Sequence, residues 1–152
     1  MSGQLSVQRH CPKCGYAEPT NDDLPPAAFY RPWHVRGRSA VKAYVETLGQ
    51  EAAEWLLALF VDKDMHLLAV DTVARGDVSS CRVNFGQILG RGHALKAAGF
   101  ILVHNHPSGD PTPSQDDVRV TARLRHLSQE LDLPLLDHLI IAGDEMKSMG
   151  EF

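Results

Sequence analysis

The sequence has few of the features that mark nucleic-acid-binding, secreted or membrane proteins. Its 152 residues include 15 lysines and arginines against 19 acidic residues. The net charge of -4 is the opposite of the basic excess that nucleic-acid surfaces usually show. Three cysteines, an odd number, do not suggest a disulfide framework. No apolar run approaches the roughly 20 residues of a membrane span, and the first ten residues lack the apolar core of a signal peptide. We therefore expect a cytoplasmic protein that makes no membrane contact.

The first 38 residues are rich in proline and show no sustained periodicity, which predicts an irregular N-terminal segment (1–38) ahead of one domain (39–152). Cys11 and Cys14 lie in Cys-Pro-Lys-Cys-Gly, which resembles one knuckle of a zinc ribbon. A closed zinc site needs four ligands, and only His10 and the distant Cys81 could complete one here. A second metal held by this pair within the chain, a half-site completed by a second chain, a flexible leader and a remnant of a lost zinc site all stay open.

The rest of the chain alternates between helical and strand patterns. The predicted elements are a helix over 39–48 ended by Gly49, strands at 55–61 and 66–74, a short strand at 81–83, a helix over 86–98 closed by Gly99, a strand at 100–103, a helix over 114–131, a strand at 135–142 and an edge segment within 147–152. This order predicts an α/β fold with a mixed β-sheet flanked by helices.

Two histidines stand at the end of the buried strand that begins at Phe100. His104 and His106 are two residues apart, and strand side chains alternate between the two faces of a sheet. Both imidazoles should therefore leave the strand on one side, with Asn105 on the other. Two neutral imidazoles side by side make half of a zinc site.

An aspartate follows at the start of the next helix. Prolines block any helix before Ser114, and apolar residues after it recur at helical spacing. On that helix Asp117 falls in line with Leu124, within the buried stripe. An unpaired buried charge is costly, so the carboxylate needs a partner, and a metal held by two histidines would supply one. Alternatively, Ser114 and Asp117 form only a capping box, although that motif prefers Glu or Gln at its last position.

The spacing His-x-His, seven residues, Ser, two residues, Asp resembles the JAMM motif of JAB/MPN metalloproteases, and the letters LVHNHPSG resemble the RadC branch of that family. The likeness extends from about residue 39 to residue 149. It implies the α/β sandwich of JAB/MPN domains, which is cytidine-deaminase-like, and zinc held by His104, His106 and Asp117. Zinc deaminases themselves need His-x-Glu and a later Pro-Cys-x-x-Cys, and the sequence has neither.

The resemblance also assigns the remaining catalytic roles. The family's base is a glutamate just before the first central strand, and Glu54 stands in that place, with Glu51 as a competitor. Ser114 would donate a hydrogen bond to the oxyanion, whereas Asn105 is expected to be structural and to tie the loop after its strand. The implied activity is a zinc-dependent amide hydrolase, a metallopeptidase or isopeptidase, acting on a peptide or protein.

An alternative is a non-catalytic, metal-containing binding module, since the RadC branch is associated with DNA repair or recombination. Two observations weigh against a DNA partner: the negative net charge, and the lack of the helical module that often precedes this domain in RadC-type proteins. Basic residues on the predicted 114–131 helix are more simply explained as a solvated face. The stretch 83–87 also departs from the His-Pro-Arg-Glu-like segment of that branch. His66 and His138 could lie near the metal but are more simply strand-surface residues, and an oligomer stays open.

Overall fold

A computed structural model describes residues 35–76 and 83–150. Its elements are α1 (Arg38–Tyr44), a 3-10 helix (Glu46–Gln50), β1 (Trp55–Val61), β2 (Leu67–Arg75), α2 (Phe85–Ala94), β3 (Gly99–Asn105), α3 (Gln115–Glu130), β4 (Leu135–Ala142) and β5 (Glu145–Ser148). The bounds of β1 and β4 match those predicted from the sequence. The predicted α/β class is confirmed.

The strands form one mixed sheet in the order β2-β1-β3-β4-β5. β1 runs antiparallel to both β2 and β3, while β3 and β4 are parallel and β5 returns antiparallel to β4. Parallel neighbours need a crossover connection, and α3 supplies it between β3 and β4. The histidine motif therefore lies at the carboxyl end of the central strand, where His104 pairs in register with Leu56 and Ile140.

Helices cover both faces of this sheet. Every residue of β1 and of β3 is buried, which explains why all of β1 and residues 100–103 of β3 read as continuous apolar runs rather than as alternating patterns. On one face, Val120 and Leu124 of α3 pack in the same core as Leu102 of β3. On the other face, Val41 of α1 packs with Leu57 of β1. The described residues thus form a three-layer sandwich of helices, sheet and helices.

The predicted first helix is divided in the structure. α1 ends at Tyr44, and Val45 separates it from the 3-10 helix that ends at Gln50. Gly49 lies within that second helix rather than after it. A Cβ at Gly49 would stand 2.3 Å from the carbonyl oxygen of Gly143, so the glycine is required by close packing and not by helix termination.

The prediction that Gly99 closes the second helix is wrong. α2 already ends at Ala94, and Lys96 adopts the left-handed conformation with φ 54°. Gly99 instead begins β3, where a Cβ would stand 3.0 Å from the carbonyl oxygen of Pro134. Ala98 donates its backbone N–H to Val61, so the chain is already joining the sheet at that point.

The remaining differences are small. β2 begins one residue later than predicted, and β5 spans Glu145–Ser148 rather than lying within 147–152. The predicted strand at 81–83 falls largely outside the described residues, and Val83 belongs to no strand. Cys11 and Cys14 also lie outside them. Among the residues that are described, no helix is both long and apolar enough to cross a membrane.

Candidate metal centre

Asn105 fixes the geometry at the end of β3. As expected, its side chain leaves the strand on the face opposite His104, and it is buried. Its Oδ1 accepts a hydrogen bond of 2.6 Å from the backbone N–H of Trp55, and its Nδ2 donates to the carbonyl of Ala53 at 2.9 Å. Asn105 is structural, as predicted, but it ties down the segment before β1 instead of the loop after β3. That segment carries Glu54.

The loop after β3 orients His106. The His106 backbone N–H donates to Ile141 at 2.8 Å, and its ring Nδ1 lies 2.8 Å from the carbonyl oxygen of Asp110. A carbonyl oxygen can only accept, so Nδ1 carries the proton in this contact. In a neutral imidazole Nε2 then holds a lone pair, and it lies 3.2 Å from Asp117 Oδ2. Either a second proton or a cation must lie between these two acceptors.

Asp117 satisfies both interpretations of the sequence at once. The capping box is present: Ser114 Oγ accepts from the Asp117 backbone N–H at 3.1 Å, and the Ser114 N–H donates to Asp117 Oδ2 at 2.7 Å. The same carboxylate is only 2% exposed. Its Oδ1 lies 2.9 Å from His104 Nδ1, while Oδ2 faces His106. Capping and metal binding are therefore compatible roles for this residue.

Glu54 reaches the centre from the opposite side. Its Oε1 lies 3.0 Å from His104 Nε2, and its side chain is 31% exposed, so it stands at the solvent side of the buried imidazole. Glu54 belongs with His104 and His106 to a cluster of potential ligand atoms within 4.8 Å of one another. The competing Glu51 belongs to none of the clusters found among the described residues.

The residues present fit a metal ion. His104 is 1% exposed, and carboxylate oxygens lie within 3.0 Å of both its ring nitrogens. Neither contact has the alignment of a hydrogen bond, so both buried nitrogens lack a hydrogen-bond partner. Such groups are rare in folded proteins, and coordination of an ion is one way in which a buried imidazole is satisfied. The His104 and His106 rings meet edge to face with centroids 4.8 Å apart.

A second cluster of potential ligands lies deeper in the fold. It contains His104, Asp117 and His138, which are all buried. The two clusters share His104, and Asp117 links them because it contacts both motif histidines. A third cluster, Asp62, Asp64 and His66, lies at the turn between β1 and β2, well apart along the sheet from the motif.

Electrostatics in the centre favour a charged aspartate and a neutral inner histidine. Burial raises the pKa of Asp117, but contacts with His104 and with the Ser114 backbone outweigh it, so the pKa lies well below its usual range. Burial is also the largest influence on His138, and the neighbouring His104 acts in the same direction. Together they lower the pKa of His138 to about 3.

The preferred sequence interpretation of His138 is wrong, because this residue is 1% exposed and lies beside the motif. It stands in β4, where the apolar residues 135–136 before Asp137 and 139–142 after His138 were the available signal for burial. His66 is a surface residue as expected; its Nδ1 lies 3.1 Å from Asp62 Oδ2 at the exposed turn.

Two further sequence features have local explanations. In the stretch 83–87, which differs from the His-Pro-Arg-Glu-like segment of the RadC branch, Asn84 caps α2 by accepting a 3.0 Å hydrogen bond from the Gln87 backbone N–H. On α3, Arg119 pairs with Asp116 at 3.2 Å, and the Arg123 guanidinium lies 5.4 Å from the Phe85 ring centroid. These basic residues therefore have partners within the domain.

A mixed sheet between helices, with two histidines at a central strand end and an aspartate in the first turn of the next helix, defines a JAB/MPN domain. The chain belongs to the RadC-like JAB domain family, whose model matches residues 35–151. It is 41% identical over 105 residues to a UPF0758 protein of Rhodobacter capsulatus, covering 68% of this chain and 49% of that protein. It is 39% identical over 103 residues to the UPF0758 protein YfjY of Escherichia coli, covering 68% of this chain and 64% of that one.

A UPF0758 protein of Ruegeria pomeroyi is 43% identical over 95 residues, covering 62% of this chain and 42% of that protein. The chain thus spans less than two thirds of each of these relatives. Their names carry no activity, so the chemistry of this chain must be argued from its own residues.

Proposed function

We propose that this protein is a zinc-dependent amide hydrolase, a metallopeptidase or isopeptidase. One observation carries the proposal: two imidazoles and a buried carboxylate converge, and the partly exposed carboxylate of Glu54 lies on the solvent side of His104. A hydrolase of this class needs ligands for an ion and a base beside the attacking water.

His104, His106 and Asp117 would hold the metal. Imidazole nitrogen and carboxylate oxygen are ligands that zinc accepts, and three protein ligands are the usual set of a catalytic zinc site. The contact from His106 Nδ1 to the Asp110 carbonyl supports this role, because ligating histidines usually donate their other ring N–H to such an acceptor. When bound, the ion would supply a water whose pKa is lowered from about 15.7 toward 7.

Glu54 would act as the general base. Its carboxylate takes the proton of the attacking water and later returns it to the leaving amine nitrogen. The Asn105 amide supports this role indirectly, since it holds the backbone on both sides of Glu54, at Ala53 and Trp55. A base fixed in this way needs no rearrangement of the strand to reach the reacting atoms.

Ser114 would stabilise the oxyanion of the tetrahedral intermediate. In the capping box its Oγ acts as an acceptor from the Asp117 backbone, which leaves the hydroxyl proton for a second partner. The side chain is exposed and adjoins the metal-facing end of α3. Loss of one oxyanion donor typically raises the barrier by roughly 3 kcal/mol.

A second proposal is a non-catalytic binding module, in the branch associated with DNA repair or recombination. The capping box favours it, because the Ser114 N–H and the two histidines give Asp117 partners without any ion. In that case the cluster stabilises the start of α3 and does no chemistry. We expect the protein to be cytoplasmic under either proposal.

Substituting Glu54→Gln separates the two. Metal content and cleavage of a library of linear and isopeptide-linked substrates are measured for the wild type, E54Q and the matched control E51Q. A hydrolase loses turnover in E54Q but keeps its zinc, and E51Q behaves as the wild type. A folded, zinc-loaded wild type with no turnover on any substrate would speak for the binding module, whereas full activity in E54Q would refute the role of Glu54 as the base.

A further inference from the structure

His138 lies beneath the motif on the same side of the sheet. It stands in β4 beside Leu102 of β3, and its ring is stacked on that of His104 with centroids 6.1 Å apart and an interplanar angle of 26°. The family motif does not include this position. Thr121 covers it from α3, one helical turn beyond Asp117.

The contacts of Thr121 fix the protonation of His138. Thr121 Oγ1 lies 2.6 Å from the carbonyl oxygen of Asp117 and 2.6 Å from His138 Nδ1, with the weaker acceptor Met149 Sδ at 3.7 Å. A hydroxyl has one proton, and a carbonyl can only accept it. The Thr121 hydroxyl therefore donates its proton to the backbone carbonyl of Asp117, a common arrangement for threonine within a helix. His138 Nδ1 must then donate to Oγ1.

This assignment leaves a lone pair on His138 Nε2. Nε2 is buried and has no hydrogen-bond partner in the described part of the chain. A proton placed there instead would be a buried donor without an acceptor. A buried polar group without its hydrogen bond is destabilising, so the lone pair calls for a donor or a cation.

The position of His138 favours a cation. One potential ligand atom of each of His138, His104 and Asp117 lies within 4.8 Å of the others. Ligand atoms about 2.1 Å from a zinc ion in a tetrahedron stand about 3.4 Å apart. The three ligand atoms of the inner cluster would therefore have to approach one another by at most about 1.4 Å to enclose an ion, and His106 belongs to the outer cluster, which shares His104 with this one.

We propose that Nε2 of His138 is a third imidazole ligand of the metal held by His104, His106 and Asp117. The inference rests on the metal site of the proposed function and deepens it. The site then offers three nitrogens and one carboxylate, and a water would occupy a fifth position, since zinc sites can expand from four to five ligands.

X-ray absorption fine structure counts the imidazoles bound to zinc, and it needs no substrate. We expect three in the wild type and two in His138→Gln. The control His126→Gln removes an exposed imidazole from α3 and should keep three. Loss of an outer partner of a ligand weakens metal binding by about 10–100-fold, so we expect the zinc dissociation constant of H138Q to rise by more than about 100-fold.

If H138Q fails to fold, the number of imidazoles bound to zinc in the wild type alone decides whether His138 is a ligand. Two imidazoles in the zinc-loaded wild type would overturn the role of His138 while leaving the site of the proposed function intact. A folded wild type that binds no zinc would overturn both. An H138Q protein with an unchanged imidazole count would also refute the inference.

Discussion

The double role of Asp117 can be tested by comparing Asp117→Asn with Ser114→Ala. Asparagine keeps an oxygen that can accept from the Ser114 N–H, so D117N preserves most of the capping box. It removes the negative charge that faces both histidines. S114A does the reverse, because it deletes the oxygen that accepts from the Asp117 backbone and leaves the carboxylate in place.

The magnitudes follow from the two roles. Loss of an N-cap side chain costs about 1 kcal/mol of the free energy of unfolding, so S114A should be destabilised by about that amount with or without zinc. Zinc at 100 times its dissociation constant stabilises a binding-competent fold by about 2.7 kcal/mol. We expect this gain in the wild type and in S114A, and little of it in D117N.

Denaturant unfolding monitored with a chelator and again with excess zinc measures these differences. A D117N protein that gains as much from zinc as the wild type would show that Asp117 only caps α3, and the metal proposal would fail with it. The opposite failure, an S114A protein that loses the zinc gain, would mean that the cap positions the ligands and that the two roles cannot be separated.

Three other predictions concern the support of the site. Asn105→Ala leaves the buried Trp55 N–H without its acceptor and should cost about 2–4 kcal/mol in denaturant unfolding, with turnover falling as well because Glu54 is released; unchanged activity would contradict the positioning role. The unfolded pKa of His138 is about 6.5 and the folded one is about 3, so the unfolded chain binds the extra proton between these values. With a chelator present, the wild type should therefore lose about 2 kcal/mol of its free energy of unfolding from pH 7 to pH 5 on account of His138, and H138Q should lack that loss. An equal loss in the two proteins would refute the prediction. Gly49→Ala places a Cβ against the Gly143 carbonyl and should cost about 1–3 kcal/mol, whereas Gly90→Ala, in open space on α2, should stabilise by about 0.5–1 kcal/mol; thermal unfolding of the pair compares them.

Local patterns predicted most of the fold. The continuous apolar run 55–61 predicts β1 with its correct bounds, and the largely apolar stretch 135–142 does the same for β4. The proline-rich loop before Ser114 places the start of α3. These features depend on neighbours in the sequence, so periodicity and capping rules apply directly.

The errors concern residues whose surroundings come from distant parts of the chain. Glycine is common at helix ends, which predicts that role for Gly99, but Gly99 is needed for its close approach to Pro134. Histidine is common at strand surfaces, which predicts exposure for His138, yet α3 covers His138 through Thr121. Neither contact has a signature within a few residues of the position concerned.

The candidate site divides along the same line. The pair His104 and His106 with Asp117 follows from strand alternation and helical spacing, so the sequence predicts that they can converge. The place of Glu54 does not follow from spacing at all. It depends on the antiparallel pairing of β1 with β3, which sets Leu56 beside His104. It also depends on the Asn105 side-chain amide, which is hydrogen-bonded to the backbone on both sides of Glu54. Glu54 and His104 are thus held by two paired central strands, whereas Asp117 comes from α3, so we expect a change that loosens the strand pairing to displace the proposed base from the proposed metal site.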